Sequence, residues 1–311
     1  MKKGLILLVV CILLALLPIF IKSVYLSSVV NTFFIYVIIG ESWNLLGGFT
    51  GQISLGHAAF FGIGALITRL LWVGHVPFLL SLIAGGLSSA LLAVFVGIPC
   101  FRIKQAYFPI GTLSLGMIAL LAVGNLFPVP GALPKAFLDA YNSYHRYYLS
   151  LAIAILTVAV LYYLVRSRPG LAMLAIRDNE KAAGAMGART LKYKVLSLVV
   201  SSFLAGLAGG LYAFQHVSYY YESTFDLGWS FNPALTTYIG GLGTLAGPIV
   251  GSFCFILLSE IFAHSLGQVH VVIFGFCFIL IVLFFPGGLM SIRGKAFRFL
   301  KGGKRHPARS P

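Results

Sequence analysis

LAIAILTVAVLYYLV, residues 151–165, carries no charge and does not alternate in polarity. A strand of a membrane barrel would run about ten residues with apolar and polar positions alternating. This run, with its neighbours back to 147, has the length of a helix that crosses a hydrocarbon core of roughly 30 Å. Comparable runs recur at about 5–21, 29–47, 54–72, 77–98, 106–127, 195–215, 232–246, 247–264 and 269–285. Of the 311 residues, 59% are hydrophobic and only 9% charged, where a soluble domain carries about 25% charged residues. Backbone groups in lipid must be satisfied within the segment, so many such runs predict an all-α fold. The expected architecture is a polytopic transmembrane helical bundle of about ten spans.

The net charge of +15 could point to nucleic acid, but its distribution argues otherwise. With the N-terminus inside, eighteen of the 22 Lys and Arg residues fall in inner loops or the C-terminal tail. Only Lys22, Arg69, Lys135 and Arg146 fall outside. That asymmetry is the positive-inside pattern of a membrane protein. The basic excess is therefore a topology signal with attraction to anionic lipid, and no nucleic-acid partner is expected. Both termini are placed in the cytoplasm; the resemblance described below implies a bacterial inner membrane.

The first run, KKGLILLVVCILLALLPIF, mimics a secretory signal but lacks a small-residue cleavage site after its apolar core, so it reads as an uncleaved first helix. Residues 1–28 then form that helix and an outer turn. No soluble domain is expected: 1–311 is one membrane domain, with a cytoplasmic loop at 166–194 and a basic tail at 291–311. Cys11, Cys100, Cys254 and Cys277 all lie in apolar runs, with neither zinc-ligand nor disulfide-framework spacing. An outer loop at 128–146, PVPGALPKAFLDAYNSYHR, is rich in proline and polar residues.

Glycine clusters twice, in LLGGFTGQISLGHAAFFGIGA (45–65) and YIGGLGTLAGPIVGS (238–252). Gly47, Gly48, Gly51 and Gly56 in the first, and Gly240, Gly241, Gly243 and Gly247 in the second, read as helix breaks. Small residues let membrane helices approach closely, and broken helices line cavities in many transporters. Asn44, Gln52, Ser54, His57, Thr236 and Thr237 lie beside these breaks. Polar groups at membrane depth usually face the bundle interior or a water-filled path, so these six are candidates for a translocation path. The alternative is structural: Gln52 and Ser54 cap freed backbone groups, and His57 is a core histidine bonded to a carbonyl. Asn232 followed by Pro233 fits a helix start, with Asn as N-cap and Pro at the first helical position. Glu41, the one acid of the first five spans, and Glu260, near the outer end of the ninth, have no assigned role.

No catalytic constellation or metal-ligand cluster is evident. H-E-x-x-H and G-x-S-x-G are missing. The closest approach to a P-loop, GLMSIRGK at 288–295, has one residue too many between its glycines and is followed by Ala296. A chain of this kind is not expected to be an enzyme. If nucleotide powers it, ATP and Mg are held by another subunit.

One polar stretch interrupts the oil: RDNEKAAGAMGARTLKYK, residues 177–194. Asp178 or Asn179 can cap a short helix running to about Met186, with Gly187 as its stop. Ala182, Ala183 and Ala185 leave one aspect of that helix nearly bare, which suits docking into a groove of another protein, with flanking charges setting orientation.

The order Glu180, Ala182, Ala183, Gly187 resembles the cytoplasmic "EAA…G" loop of permease subunits in bacterial ATP-binding-cassette importers. The stretches AIRDNEKAAGAMGARTLKYKVLSLVVSSFLAGLAGGLYA (175–213), NLLGGFTGQISLGHAAFFGIGA (44–65) and GGLGTLAGPIVGS (240–252) look like the branched-chain amino acid permease family, in particular its LivM-type subunit. AYFPIGTLSLG (106–116) and LFFPGGL (283–289) are weaker matches. The resemblance spans about 29–290. It implies a five-part importer of branched-chain amino acids: two unlike permease subunits, two ATP-binding subunits and a periplasmic solute-binding protein. It also implies that Arg177, Asp178, Glu180, Ala182, Ala183 and Gly187 form the loop that couples to the ATPase. Where the family often shows a Thr-Gly-Gly-Pro-like turn after the fifth span, this chain reads NLFPVPGALPKAF, which leaves the solute open. The alternatives are a permease for urea, short amides or another small polar solute, and an ion-driven secondary transporter using Glu41 or Glu260. An integral-membrane enzyme is a third.

Overall fold

The computed structural model describes residues 13–18, 23–101, 107–126, 133–134, 137, 142–266, 275, 279 and 288–290. Among them the fold is helical, with no extended strand. Helix α1, Val24–Asn44, runs without interruption into a wider π-turn at Leu45–Phe49. After an irregular stretch come α2 (His57–Val73), α3 (Phe78–Cys100), α4 (Phe108–Leu126) and α5 (Ser143–Arg166). Two short helices follow, α6 (Arg168–Asp178) and α7 (Glu180–Ala185), then the long α8, Thr190–Gln215. One turn at α9 (Tyr221–Thr224) leads to α10 (Gly228–Gly240) and α11 (Gly247–Leu266). Five of the described segments are long and apolar enough to cross a membrane: Val24–Phe49, α3, α4, α5 and α8. The expected first and tenth runs, 5–21 and 269–285, and the basic tail at 291–311 lie wholly or mostly outside the described residues. So do Cys11, Cys277 and most of the 128–146 loop. Cys100 and Cys254 are unpaired thiols.

The bundle is organised around α1, whose second half is buried from Phe34 to Asn44 except at Tyr36. It packs against α5, α8, α10 and α11. Beside it, α2, α3 and α8 close on one another through glycines. A Cβ on Gly64 of α2 would stand 2.3 Å from the Gly206 carbonyl oxygen of α8, and one on Gly85 of α3 would stand 2.6 Å from the Gly64 oxygen. Removing side chains at the crossing lets backbones touch, which is how helices associate where lipid gives no hydrophobic drive. The opposite faces of α3 and α4 expose Leu80, Leu87, Phe95, Ile110, Ile118 and Leu121, as a lipid-facing surface requires. Gly64→Val is therefore expected to cost about 3 kcal/mol, the upper end of overpacking penalties. Gly116→Ala, whose new Cβ would meet only Ala58 at 4.0 Å, should cost nothing. Thermal unfolding in detergent compares the two.

Several boundaries differ from the sequence expectation. Helix α1 begins at Val24, inside the segment assigned to the first helix and outer turn. The 166–194 loop contains an additional helix, α6, entered at Ser167 with Pro169 in its first turn. Asn232–Pro233 is not a helix start. Helix α10 begins at Gly228, where the Asp226 carboxylate accepts the Gly228 N–H at 2.7 Å, and Pro233 lies inside the helix. The earlier start wins because the Asp226 carboxylate, one residue before the capping position at Leu227, takes a helix-end N–H. The carbonyl of Pro233 instead accepts the hydroxyls of Thr236 and Thr237 at 2.9 and 2.7 Å.

Candidate functional site

The polar loop is built as a short lever. Asn179, in extended conformation, turns the chain between α6 and α7, and its side-chain oxygen accepts the Ala182 N–H at 3.0 Å. Asn179 rather than Asp178 is thus the cap. The helix ends at Ala185. Gly187 then takes a φ of +88°, where a side chain would be strained, while Ala188 N–H returns to the Ala183 carbonyl at 3.0 Å. Glu180 pairs with Lys194 at 2.5 Å, fastening α7 to the start of α8.

The exposed face of α7 differs from the expected one. Ala182, Ala185 and Met186 are exposed, Met186 by 89%, whereas Ala183 is only 6% exposed and packs inward. A helix of six residues has one inner aspect, and the residue whose carbonyl anchors the following turn occupies it. The bare face therefore consists of Ala182, Gly184 and Ala185, with Met186 projecting beyond them.

Arg177 joins this lever to both glycine clusters. Its guanidinium donates to the Gly48 carbonyl at 3.1 Å and pairs with Asp178 at 3.1 Å. Gly51 lies against the Arg177 side chain, and a Cβ on Gly243 would stand 2.9 Å from its Nη1. The clusters also meet directly. A Cβ on Gly48 would be 2.7 Å from the Gly243 nitrogen. Asn44 stitches the junction: its Nδ2 donates to the Thr244 carbonyl at 2.9 Å, and its Oδ1 accepts the Gly243 N–H at 2.9 Å. Gly240 and Gly247 also touch, since a Cβ on Gly240 would lie 1.7 Å from the Gly247 oxygen. Gly241 and Gly288 are in contact as well.

The remaining polar candidates are buried. His57 Nε2 lies 3.0 Å from the Ser201 hydroxyl, which donates to the Ser42 carbonyl at 2.8 Å. That histidine is therefore bonded to a hydroxyl and not to a carbonyl. Ser54 accepts the Gly56 N–H at 3.3 Å, just before α2. Gln52 donates its main-chain N–H to Leu46 at 2.9 Å. Thr237 also donates to the Gly40 carbonyl at 3.2 Å. Gly47 lies under the Trp43 ring and Gly56 against Thr112.

Residues 25–282 match the family described as the permease component of the branched-chain amino acid transport system. The chain belongs to that family. It is 24% identical to the high-affinity branched-chain amino acid transport system permease protein LivM of Salmonella typhimurium, over 86% of this chain and 70% of that one. It is also 24% identical to the probable branched-chain amino acid transport permease protein LivM of Methanocaldococcus jannaschii, over 74% and 69%. A solved chain, titled PsaBC from Streptococcus pneumoniae in complex with Fab, aligns with a TM-score of 0.49 and 17% identity, over 90% of this chain and 96% of that one. Within this permease family the sequence is thus a multi-pass membrane transport component.

Of one further set of residues the sequence reading singled out only Asn232, and that as a helix cap. Tyr36, Glu222, Asp226, Trp229 and Asn232 border an open cavity of about 470 Å³, away from the loop end of the bundle. The available signal was the pair of acids in YYYESTFDLGW (219–229), in a chain with only seven acids. Glu260, also unassigned, accepts the Tyr25 hydroxyl.

Proposed function

We propose that this permease is one of two unlike membrane-spanning subunits of a bacterial ATP-binding-cassette importer for branched-chain amino acids. The site is the inner membrane, with both termini cytoplasmic. Two ATP-binding subunits hold ATP and Mg, and a periplasmic solute-binding protein delivers the solute. The reading rests on one observation: an exposed, small-sided helix, α7, is tied through Arg177 to the place where two glycine breaks meet. Motion imposed on α7 by an ATPase groove reaches Gly48 and Gly243 through one side chain. The transmembrane helices bearing those breaks can then shift relative to each other, alternating access to a polar path.

Ala185→Glu tests the docking. Ala185 is exposed, so the variant should still fold and insert. A buried, unpaired carboxylate at an interface costs about 3–5 kcal/mol. ATP-dependent leucine uptake in cells should therefore fall at least about a hundredfold, and the ATPase should no longer co-purify. Uptake at the normal rate, or leucine uptake by vesicles holding this chain and no motor subunit, would overturn the reading. Uptake of urea in place of leucine would keep the coupling and change the solute.

A further inference from the structure

The cavity beside Trp229 lies deep in the bundle. The Trp229 ring stacks on Phe61 with centroids 4.0 Å apart and on Tyr36 at 5.5 Å. Tyr36 is twelve residues along α1 from Val24, and Phe61 is twelve residues along α2 from Val73. At 1.5 Å per residue, each is about 18 Å along its axis from the end of the bundle opposite the polar loop. A hydrocarbon core is roughly 30 Å thick, so the floor of the cavity lies near mid-depth. The segment after α8 descends to it. Tyr221 packs on Gly124, close to the end of α4, and Phe225 packs on Gly62, well inside α2. Helix α10, with only 13 residues, starts at the bottom of this descent. It is a half-helix whose first residue, Gly228, borders the cavity.

Irregular backbone and charged side chains at this depth occur where they line water or protein, and not where they face lipid. Glu222 and Asp226 are both exposed, and no described residue lining the cavity is basic. Asn232 donates to the Tyr36 hydroxyl at 3.2 Å. That bond leaves the Tyr36 O–H and the Asn232 carbonyl oxygen as further lining groups. The volume fits a small solute, and an aromatic wall with a few polar groups is the usual make-up of a ligand site.

We infer that this cavity is an outward-facing station on the transport path, and that Glu222 and Asp226 receive the ammonium group of the solute. The two carboxylates attract a cation by charge. The inference rests on the importer reading, and it adds a chemical requirement: the solute must carry an amine.

The test uses Ser223→Cys, at an exposed lining position, with Cys11, Cys100, Cys254 and Cys277 replaced by alanine. The assembled transporter in right-side-out vesicles is treated with a trimethylammonium or a sulfonate methanethiosulfonate, each rate normalised to that with a free thiol. The cationic reagent should react about tenfold faster. Glu222→Gln with Asp226→Asn, which keeps the acceptor for Gly228, should erase the preference. Leucine should protect the cysteine, and 4-methylpentanoate, the same skeleton without the amine, should not. Equal rates for the two reagents, no labelling from outside, or equal protection by both compounds would overturn the inference. Leucine uptake by the same vesicles judges the importer reading separately. Uptake without charge preference removes only the cavity's role. Charge preference without leucine uptake removes only leucine as the solute.

Discussion

In the importer proposed above, Arg177→Ala is expected to cut uptake about 10–100-fold while the complex assembles and still hydrolyses ATP. The guanidinium is held by the Gly48 carbonyl and the Asp178 carboxylate, and it fits a slot that exists because residues 51 and 243 have no side chain. A hydrogen bond from a charged group contributes about 1.5–3 kcal/mol, and each 1.4 kcal/mol is about a factor of ten. If that bond is how α7 pulls on the glycine junction, alanine leaves the lever fastened to α8 through Glu180 and Lys194 but no longer to the junction. ATP would then be consumed without solute movement. Arg177→Lys keeps the charge but offers a compact donor instead of a planar fork. It can serve Gly48 or Asp178 and not both, so an intermediate uptake is expected. Parallel measurement of leucine uptake and phosphate release decides the matter. Normal solute carried per ATP in the alanine variant would show that motion enters the bundle by another route.

How much of this could be read from the sequence depends on the range of the interaction. The membrane class was legible in residues 151–165 and their like, because lipid imposes length and polarity on each span separately. The cap at Asn179 and the stop at Gly187 were legible for the same reason: both are decided within four residues. The meeting of the two glycine clusters was not. Asn44 and Gly243 are 199 residues apart, and nothing local says that their breaks interlock. The inward turn of Ala183 was missed because a six-residue helix has too few turns for its pattern to mark a buried face. Asn232–Pro233 misled because a valid local start signal lost to Asp226, six residues earlier. Glu222 and Asp226 drew no reading at all, because only the contacts of Phe225 with Gly62 and of Trp229 with Phe61 place them far down α2. Local chemistry reads well from a string of residues, whereas depth in the bilayer and pairing across the bundle do not.

The same distinction sets the largest expected loss of stability, at Arg69. Its sequence context is an apolar run, and a charge there looked like an outer-loop residue. In the fold the side chain is wholly buried. It donates to the carbonyls of Ala213, His216 and Val217 at 3.3, 3.2 and 2.7 Å, at and just beyond the end of α8. Arg146 reaches the Gln215 carbonyl at 3.2 Å from α5. Two cations thus sit where the last carbonyls of a 26-residue helix would otherwise face a low-dielectric interior unpaired. Arg69→Met keeps most of the volume and removes all three bonds. The cost expected is about 3–5 kcal/mol, as for other buried charged groups deprived of their partners. That is a large share of a stability of about 5–15 kcal/mol, so the yield of folded protein should drop and the thermal midpoint in detergent should fall. Arg69→Lys should recover part of the loss, because a single ammonium can serve one or two of the three carbonyls. The segment after α8 hangs from this same point, so in the methionine variant Ser223→Cys should lose its leucine protection before the bundle unfolds. A methionine variant with an unchanged midpoint would show that water or other side chains satisfy the end of α8, and that the charge is held for some purpose besides stability.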